Sequence, residues 1–418
     1  MVIGIDGNEA NVERKVGISE YAFELLKEFY EIRNSNIEIS NKYKIKPFDS
    51  AHGKNIKYKI YLKDIPRLDM PKETDWWKYE IVGPRKLWTQ IGLPLNLYFR
   101  KPRPDVFFSL THYAPRFSPV PTAIAIMDMS FVKYSELFAK RDLYQLTKWT
   151  YYSAKNAKKV FTISKASKDD ILKEYHVPEE NVIVTYPGIK SVDSSKYQVA
   201  SMDELKKKYK IGNEYILFVG TIQPRKNIAR LIEAFSKIVR GPAAHHPPKV
   251  HQSHSFPAGT FRGSPIRVTP SQLQLVIVGK KGWLYEEILN APEKYGVSKN
   301  VIFLDYVPNE DLPALYKNAL CYVLPSLYEG FGLPVLEAMQ YGCPVITSNV
   351  SSLPEAGGDA ALYVDPQSTE DITDKIKLVL DSKKLREEMV KKGYQHLKKF
   401  SWEKAAKETL EVLTSLVE

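Results

Sequence analysis

The stretch Cys321-Tyr322-Val323-Leu324-Pro325-Ser326-Leu327-Tyr328-Glu329-Gly330-Phe331-Gly332-Leu333-Pro334-Val335-Leu336-Glu337 decides the fold. Cys321 to Leu324 is a short apolar run that reads as a strand. The loop behind it therefore leaves the carboxyl edge of a sheet, where open α/β folds bind their ligands. Gly330 and Gly332 let backbone come close to a ligand. Pro334 suits the first helical position, and Gly342 ends the helix that follows. The N–H groups from Gly332 to Val335, with the helix dipole behind them, are expected to face a phosphate.

Two carboxylates flank this turn, Glu329 on the loop and Glu337 about a turn into the helix, with seven residues between them. A carboxylate only accepts hydrogen bonds and can take two from adjacent hydroxyls. A ribose diol suits Glu337 and a hexose diol suits Glu329. The plainer alternative is a tight turn whose glutamates face solvent or pair with lysines. The complete strand–loop–helix string weighs more than the two acids alone.

Working outward, short apolar runs alternate with helical patterns, the mark of a parallel sheet covered by helices. In the second half the expected strands are Tyr215 to Val219, Leu273 to Val278, Val301 to Leu304 and Pro344 to Thr347, with helices at Ile228 to Val239 and Ile372 to Leu380. In the first half they are Val2 to Asp6, Val106 to Ser109, Ala123 to Met127, Val160 to Ser164 and Val182 to Thr185. Helices are expected over Ser19 to Tyr30, Ala139 to Ala157 and Lys165 to Tyr175. The polar, Ser-rich Asp193 to Met202 reads as the inter-domain linker. Domains are thus expected at 1–192 and 203–399. Arg240 to Ser271 carries six prolines and four of the eight histidines, and reads as a flexible insertion. Its histidines have no Cys or acidic companions, so no metal site is expected there. After Lys391 the chain reads as helical almost to its end, with an apolar stripe of Trp402, Ala405, Ala406, Leu410 and Leu413. This final segment, 400–418, either covers the second domain or crosses back to the first.

A chain of 418 residues, 44% hydrophobic and 26% charged, suits two soluble cores. Its 60 Lys plus Arg against 49 Asp plus Glu give +11. The basic residues are scattered, with none of the ordered basic and aromatic positions of a nucleic-acid module. Solvated helix faces are the first use of that charge, and weak attraction to an acidic membrane surface the second. Two cysteines, Cys321 and Cys343, exclude a disulfide framework. Met1 to Asp6 leads straight into charged and polar residues, so no signal peptide is expected, and no apolar run approaches the ~20 residues that cross a bilayer. A cytoplasmic location, peripheral to the inner membrane surface at most, is expected.

Glu329 and Glu337 with Gly-Phe-Gly-Leu-Pro between them resemble the signature of family 4 of the retaining glycosyltransferases. Phe218-Val219-Gly220-Thr221-Ile222-Gln223-Pro224-Arg225-Lys226-Asn227 resembles that family's second donor motif. So do Val278-Gly279 and the run Pro344-Val345-Ile346-Thr347 leading to Pro354-Glu355. The resemblance covers most of the second half and thins in the first. It implies the GT-B fold, an α/β architecture of two Rossmann-like doubly wound domains facing across a cleft. It further implies an N-terminal acceptor-binding domain and a C-terminal domain that binds the nucleotide sugar. The implied donor set is Gly220, Arg225, Lys226, Ser326, Glu329, Gly330, Phe331, Gly332, Leu333 and Glu337. Arg225 and Lys226 would clamp the diphosphate and neutralise charge on the departing nucleoside diphosphate.

Gly17 resembles the glycine of the family's N-terminal loop, which approaches donor phosphates and acceptor; a plain glycine at a helix start is the alternative. Met127-Asp128 stands where related mannosyltransferases have His-Asp. Asp128 either contacts the reacting centre or caps the segment after it, and the two readings are equal. His112, after another strand, is a partial substitute for the missing histidine, or is structural.

The resemblance implies retention of configuration by front-face transfer, with Glu329 holding the sugar. GDP-mannose is the favoured donor, and a saccharide or lipid-linked acceptor in surface-polysaccharide synthesis is expected. With no Asp-x-Asp in the donor segment, no metal is expected. Glu329→Ala is expected to abolish transfer and leave folding largely intact. The competing functions are a sugar-nucleotide epimerase-hydrolase of the same architecture and a non-catalytic sugar-nucleotide-binding protein.

Overall fold

The computed structural model describes residues 1–15, 17–34, 56–138, 140–189, 201–240 and 272–417. The chain divides into two compact units, Met1–Lys190 with Phe400–Glu418, and Ser191–Lys399. The segment expected as an insertion, beyond Arg240, and linker positions 193–200 lie outside the described residues.

The first unit holds seven parallel strands: β1 (Val2–Asp6), β2 (Lys57–Leu62), β3 (Trp77–Ile81), β4 (Val106–Ser109), β5 (Thr122–Ala125), β6 (Lys159–Thr162) and β7 (Val182–Val184). Their order across the sheet is β3-β2-β1-β4-β5-β6-β7. The second unit holds six: β8 (Tyr215–Val219), β9 (Gln274–Val278), β10 (Val301–Leu304), β11 (Cys321–Leu324), β12 (Val345–Ser348) and β13 (Ala361–Val364). Their order is β10-β9-β8-β11-β12-β13. Both sheets reverse direction of growth next to their first strand, between β1 and β4 and between β8 and β11. Those two places are the topological switch points where doubly wound sheets bind ligands.

Central strands such as β8 and β11 are continuous apolar runs because helices cover both faces of a parallel sheet. Three strands escape the sequence pattern. β2 alternates lysine with tyrosine and isoleucine, β3 is a half-exposed edge strand, and β13 is a four-residue edge strand. Lysines break the apolar run in β2, Lys78 and Glu80 break it in β3, and the run in β13 is apolar but only four residues long.

The expected continuous helix after Lys391 is two helices, Lys383–Leu397 and Trp402–Thr414. Ser401 restarts the chain by accepting a hydrogen bond from the Lys404 N–H through its side chain. All five stripe residues, Trp402, Ala405, Ala406, Leu410 and Leu413, are buried. They pack within the first unit: the Trp402 ring meets Tyr21 edge-on at 5.6 Å, and Phe400 meets Tyr186 at 5.9 Å.

Candidate active site

At the switch point of the second sheet, β11 pairs directly with β8, Cys321 beside Ile216 and Tyr322 beside Leu217. The loops leaving their carboxyl ends, 220–227 and 325–332, are therefore neighbours. Hydrogen bonds fasten them together. The Leu327 N–H donates to the Arg225 carbonyl at 2.9 Å. Arg225 Nη1 donates to the Tyr328 carbonyl at 2.8 Å. Asn227, in the left-handed conformation at φ 60°, donates through Nδ2 to the carbonyls of Pro325 at 3.0 Å and Pro366 at 2.6 Å.

Charge concentrates where the loops meet. Lys226 Nζ lies 2.5 Å from Glu329 Oε1, and Arg225 Nη1 lies 3.6 Å from Glu329 Oε2. Ser326 donates to the same carboxylate at 2.7 Å. Glu329 and Lys226 are both buried. Burial by itself would raise the Glu329 pKa. The charges of Lys226 and Arg225, with the hydrogen bonds from Lys226 and Ser326, outweigh it and hold the carboxyl below its ordinary value. The plainer alternative for Glu329, pairing with a lysine, is thus realised, but with the lysine of the other donor motif. Behind Glu329, Ser351 and Ser352 donate through their hydroxyls to its carbonyl at 2.5 and 2.8 Å. Sequence reading missed this pair; the signal was two serines ahead of a Leu-Pro helix start, where Ser352 is the N-cap.

The helix Leu333–Gln340 begins at Gly332, whose φ is 106°. That conformation favours glycine, and a Cβ there would also lie 2.9 Å from Leu353 Cδ2. One expectation is narrowed. Pro334 has no N–H, and the Val335 N–H donates to the Gly332 carbonyl at 2.9 Å. Of the N–H groups expected to face a phosphate, this leaves those of Gly332 and Leu333. Glu337 accepts a hydrogen bond from the Tyr316 hydroxyl at 3.1 Å, a partner sequence reading did not foresee. Gly220, Phe331 and Ser326 lie in the same two loops, so the whole expected donor set comes together in the second unit.

Gly17, His112 and Asp128 belong to the first unit. Gly17 precedes the helix Ile18–Asn34 at φ 58°, with nothing within 4 Å of an added Cβ. His112 and Asp128 follow β4 and β5. The His112 Nδ1 is buried with no hydrogen-bond partner among the described residues. Burial lowers the His112 pKa, and the charge of Asp128 acts against it. Asp128 accepts the Ser130 N–H through Oδ1 at 2.8 Å, a turn leading into the helix Ser130–Lys133, whose N-cap is Met129. Asp6, at the carboxyl end of β1 and opposite Ser109 of β4, was read only as a strand end. Burial pushes its pKa up to about 6, against hydrogen bonds from the Asn8 backbone and side chain.

Residues 261–396 match the family described as glycosyl transferases group 1. The chain is 32% identical to the O-antigen chain mannosyltransferase B of Escherichia coli over 283 residues, 68% of this chain and 67% of that one. It is 30% identical over 261 residues to the serotype-specific mannosyltransferase WbdA of Escherichia coli, a match that spans 62% of this chain and 29% of WbdA. The structure of Anabaena HepE in complex with UDP-glucose superposes with a TM-score of 0.67, covering 99% of each chain at 15% identity. That likeness carries the fold, which is GT-B. Together with the paired donor loops around Lys226 and Glu329, the similarity in sequence makes this chain a member of the group 1 glycosyl transferases.

Proposed function

We propose that this glycosyltransferase moves a mannosyl group from a nucleotide sugar, GDP-mannose before UDP-sugars, to a saccharide or lipid-linked acceptor in surface-polysaccharide synthesis. The observation that carries the reading is the buried cluster of Lys226, Arg225 and Glu329 at the switch point of the second sheet. The preference for mannose rests on the printed activities of the Escherichia coli relatives. HepE holds UDP-glucose on the same fold, so the fold itself does not select the base or the sugar.

On this reading the donor diphosphate takes over Lys226 and Arg225 from Glu329, and meets the amides of Gly332 and Leu333 at the helix start. Glu329, released from its lysine, accepts hydrogen bonds from the sugar hydroxyls. Glu337 accepts from the ribose. The bond between anomeric carbon and phosphate oxygen then breaks as an oxocarbenium-like species forms. The acceptor oxygen attacks from the same face, and its proton passes to the departing phosphate oxygen. Configuration is retained without a carboxylate nucleophile. The two cations supply the charge stabilisation, so a divalent ion is dispensable. Gly17, His112 and Asp128 of the first unit are proposed to serve the acceptor and the reacting centre. Two donor loops clamped on one ion cluster favour transfer over the epimerase-hydrolase.

The test is a thermal-shift screen of GDP-mannose, UDP-glucose, GDP and UDP, followed by transfer assays with the ligand that stabilises most. Stabilisation by GDP-mannose and mannosyl transfer in the presence of a chelator support the reading. Stabilisation by UDP-sugars alone overturns the donor. Recovery of activity only on adding Mg²⁺ overturns the metal-independent step. Rapid release of nucleoside diphosphate with no acceptor points to the epimerase-hydrolase.

A further inference from the structure

A helix on the surface of a soluble unit ordinarily turns one apolar stripe inward and a polar face outward. The segment Trp88–Phe99 of the first unit, a π-helical turn continued by the helix Leu93–Phe99, is apolar on both sides. Its inner side, Trp88, Leu93 and Leu97, packs in a core with Tyr61, Val82 and Phe107. The Trp88 indole N–H donates to the buried Val82 carbonyl at 2.9 Å, which fixes that side inward. Its outer side carries Ile91, Leu95, Tyr98 and Phe99, with Leu87 just ahead of it; Leu87, Ile91, Leu95 and Phe99 are four residues apart, and all five are 41 to 79% exposed.

Charge frames this stripe with one sign. From Val82 to Pro104 the chain has Arg85, Lys86, Arg100, Lys101 and Arg103 and no Asp or Glu. The acids that reach this group stand on neighbouring segments: Asp64 pairs with Arg85, and Glu80 with Arg100 at 3.1 Å. Lys86 and Lys101, one at each end of the stripe, are both exposed. Two bulky residues at this surface are also held in the left-handed region, Leu87 at φ 52° and Phe117 at φ 51°. Phe117 is 73% exposed, and its loop is tied to the helical segment by the Arg116 N–H, which donates to the Thr89 carbonyl at 3.1 Å. Apolar side chains presented outward on a conformation that costs free energy mark a surface with a use.

We infer that this face is a docking surface for an anionic bilayer. The Leu87–Phe99 stripe and Phe117 enter the headgroup–acyl boundary, while the cations at both ends meet acidic headgroups. An apolar stripe framed by Lys and Arg has the composition of an interfacial helix that lies in the plane of a membrane. At 12 residues it is too short to span one, and no helix among the described residues is long and apolar enough to cross. The inference goes beyond the transfer reaction and uses none of its residues, so either reading can fail alone.

The experiment is cosedimentation of the full chain with phosphatidylcholine vesicles, with and without phosphatidylglycerol. The chain should bind the anionic vesicles. The variant carrying Ile91→Ser, Leu95→Ser and Phe99→Ser should bind them at least about tenfold more weakly, at an unchanged melting temperature. A second variant, Lys86→Glu with Lys101→Glu, should lose the preference for anionic over neutral vesicles. Equal binding of the wild type to both compositions, or equal binding by the triple-serine variant, overturns the inference. So does a dimer in sedimentation velocity that the triple-serine variant dissociates, which would give the face to a second copy.

Discussion

Lys226 Nζ stands 2.5 Å from Glu329 Oε1 although 103 positions separate the two residues in the chain. The contact exists because β8 and β11 are neighbours in the sheet and each is followed by one of the two loops expected to bind the donor. It joins two motifs that are separate strings in the sequence, and it changes what their substitution should do.

Glu329→Ala should abolish transfer and also destabilise the protein. Removing one partner of a buried ion pair typically costs about 3–5 kcal/mol, because the remaining charge stays buried. This revises the sequence expectation of a largely intact fold. The check is thermal melting with and without nucleoside diphosphate. A polyphosphate can restore negative charge beside Lys226 and Arg225, so the variant should gain more in melting temperature from the ligand than the wild type does. An equal gain in both would count against the shared cation site.

Arg225→Ala combined with Lys226→Ala should weaken nucleoside diphosphate binding by roughly a hundredfold or more. Each charge-assisted hydrogen bond contributes about 1.5–3 kcal/mol. Titration calorimetry reads this directly, and unchanged affinity would remove both residues from the donor site.

Asp6 gives a pH dependence whose sign is fixed. Its folded pKa of about 6 lies above the ordinary 3.8, so the folded state holds a proton that the unfolded chain has lost between those values. The resulting stability is complete below the unfolded pKa and is lost as pH rises through the folded one. The change across that window is roughly 3 kcal/mol. Asp6→Asn should remove this slope and melt higher than the wild type at pH 8. Equal melting curves at pH 5 and pH 8 in the wild type would refute it.

Gly332→Ala should cost more than Gly17→Ala. Both sit at positive φ, a conformation worth about 1–2 kcal/mol against an L side chain. Only at Gly332 would the new methyl also crowd a side chain, Leu353. Chemical denaturation of the two variants ranks them.

The central strands were legible because burial on both faces writes itself as an apolar run. β2, β3 and β13 were not: lysines interrupt the apolar run in β2, Lys78 and Glu80 interrupt it in the edge strand β3, and β13 is an edge strand of only four residues. The grouping of the expected donor residues into two loops, which the sheet order makes neighbours, was legible. That Glu329 neutralises Lys226 was not, since a contact across 103 positions depends on strand order, and strand order leaves no local trace. Asp6 escaped for a related reason: an acid closing a strand looks alike whether water or a packed sheet surrounds it. The His112–Asp128 coupling was only half visible, as two polar residues each following a strand.

Asn227 has a consequence for affinity. By holding the carbonyls of Pro325 and Pro366 together, it ties the loop after β11 to the loop after β13 from within the protein. On the proposed donor reading, a ligand meeting the loop after β11 finds it already tied down, so less of its attraction is offset by lost conformational freedom. Asn227→Ala should therefore slow association and loosen every nucleotide sugar alike, while leaving the preference among them unchanged.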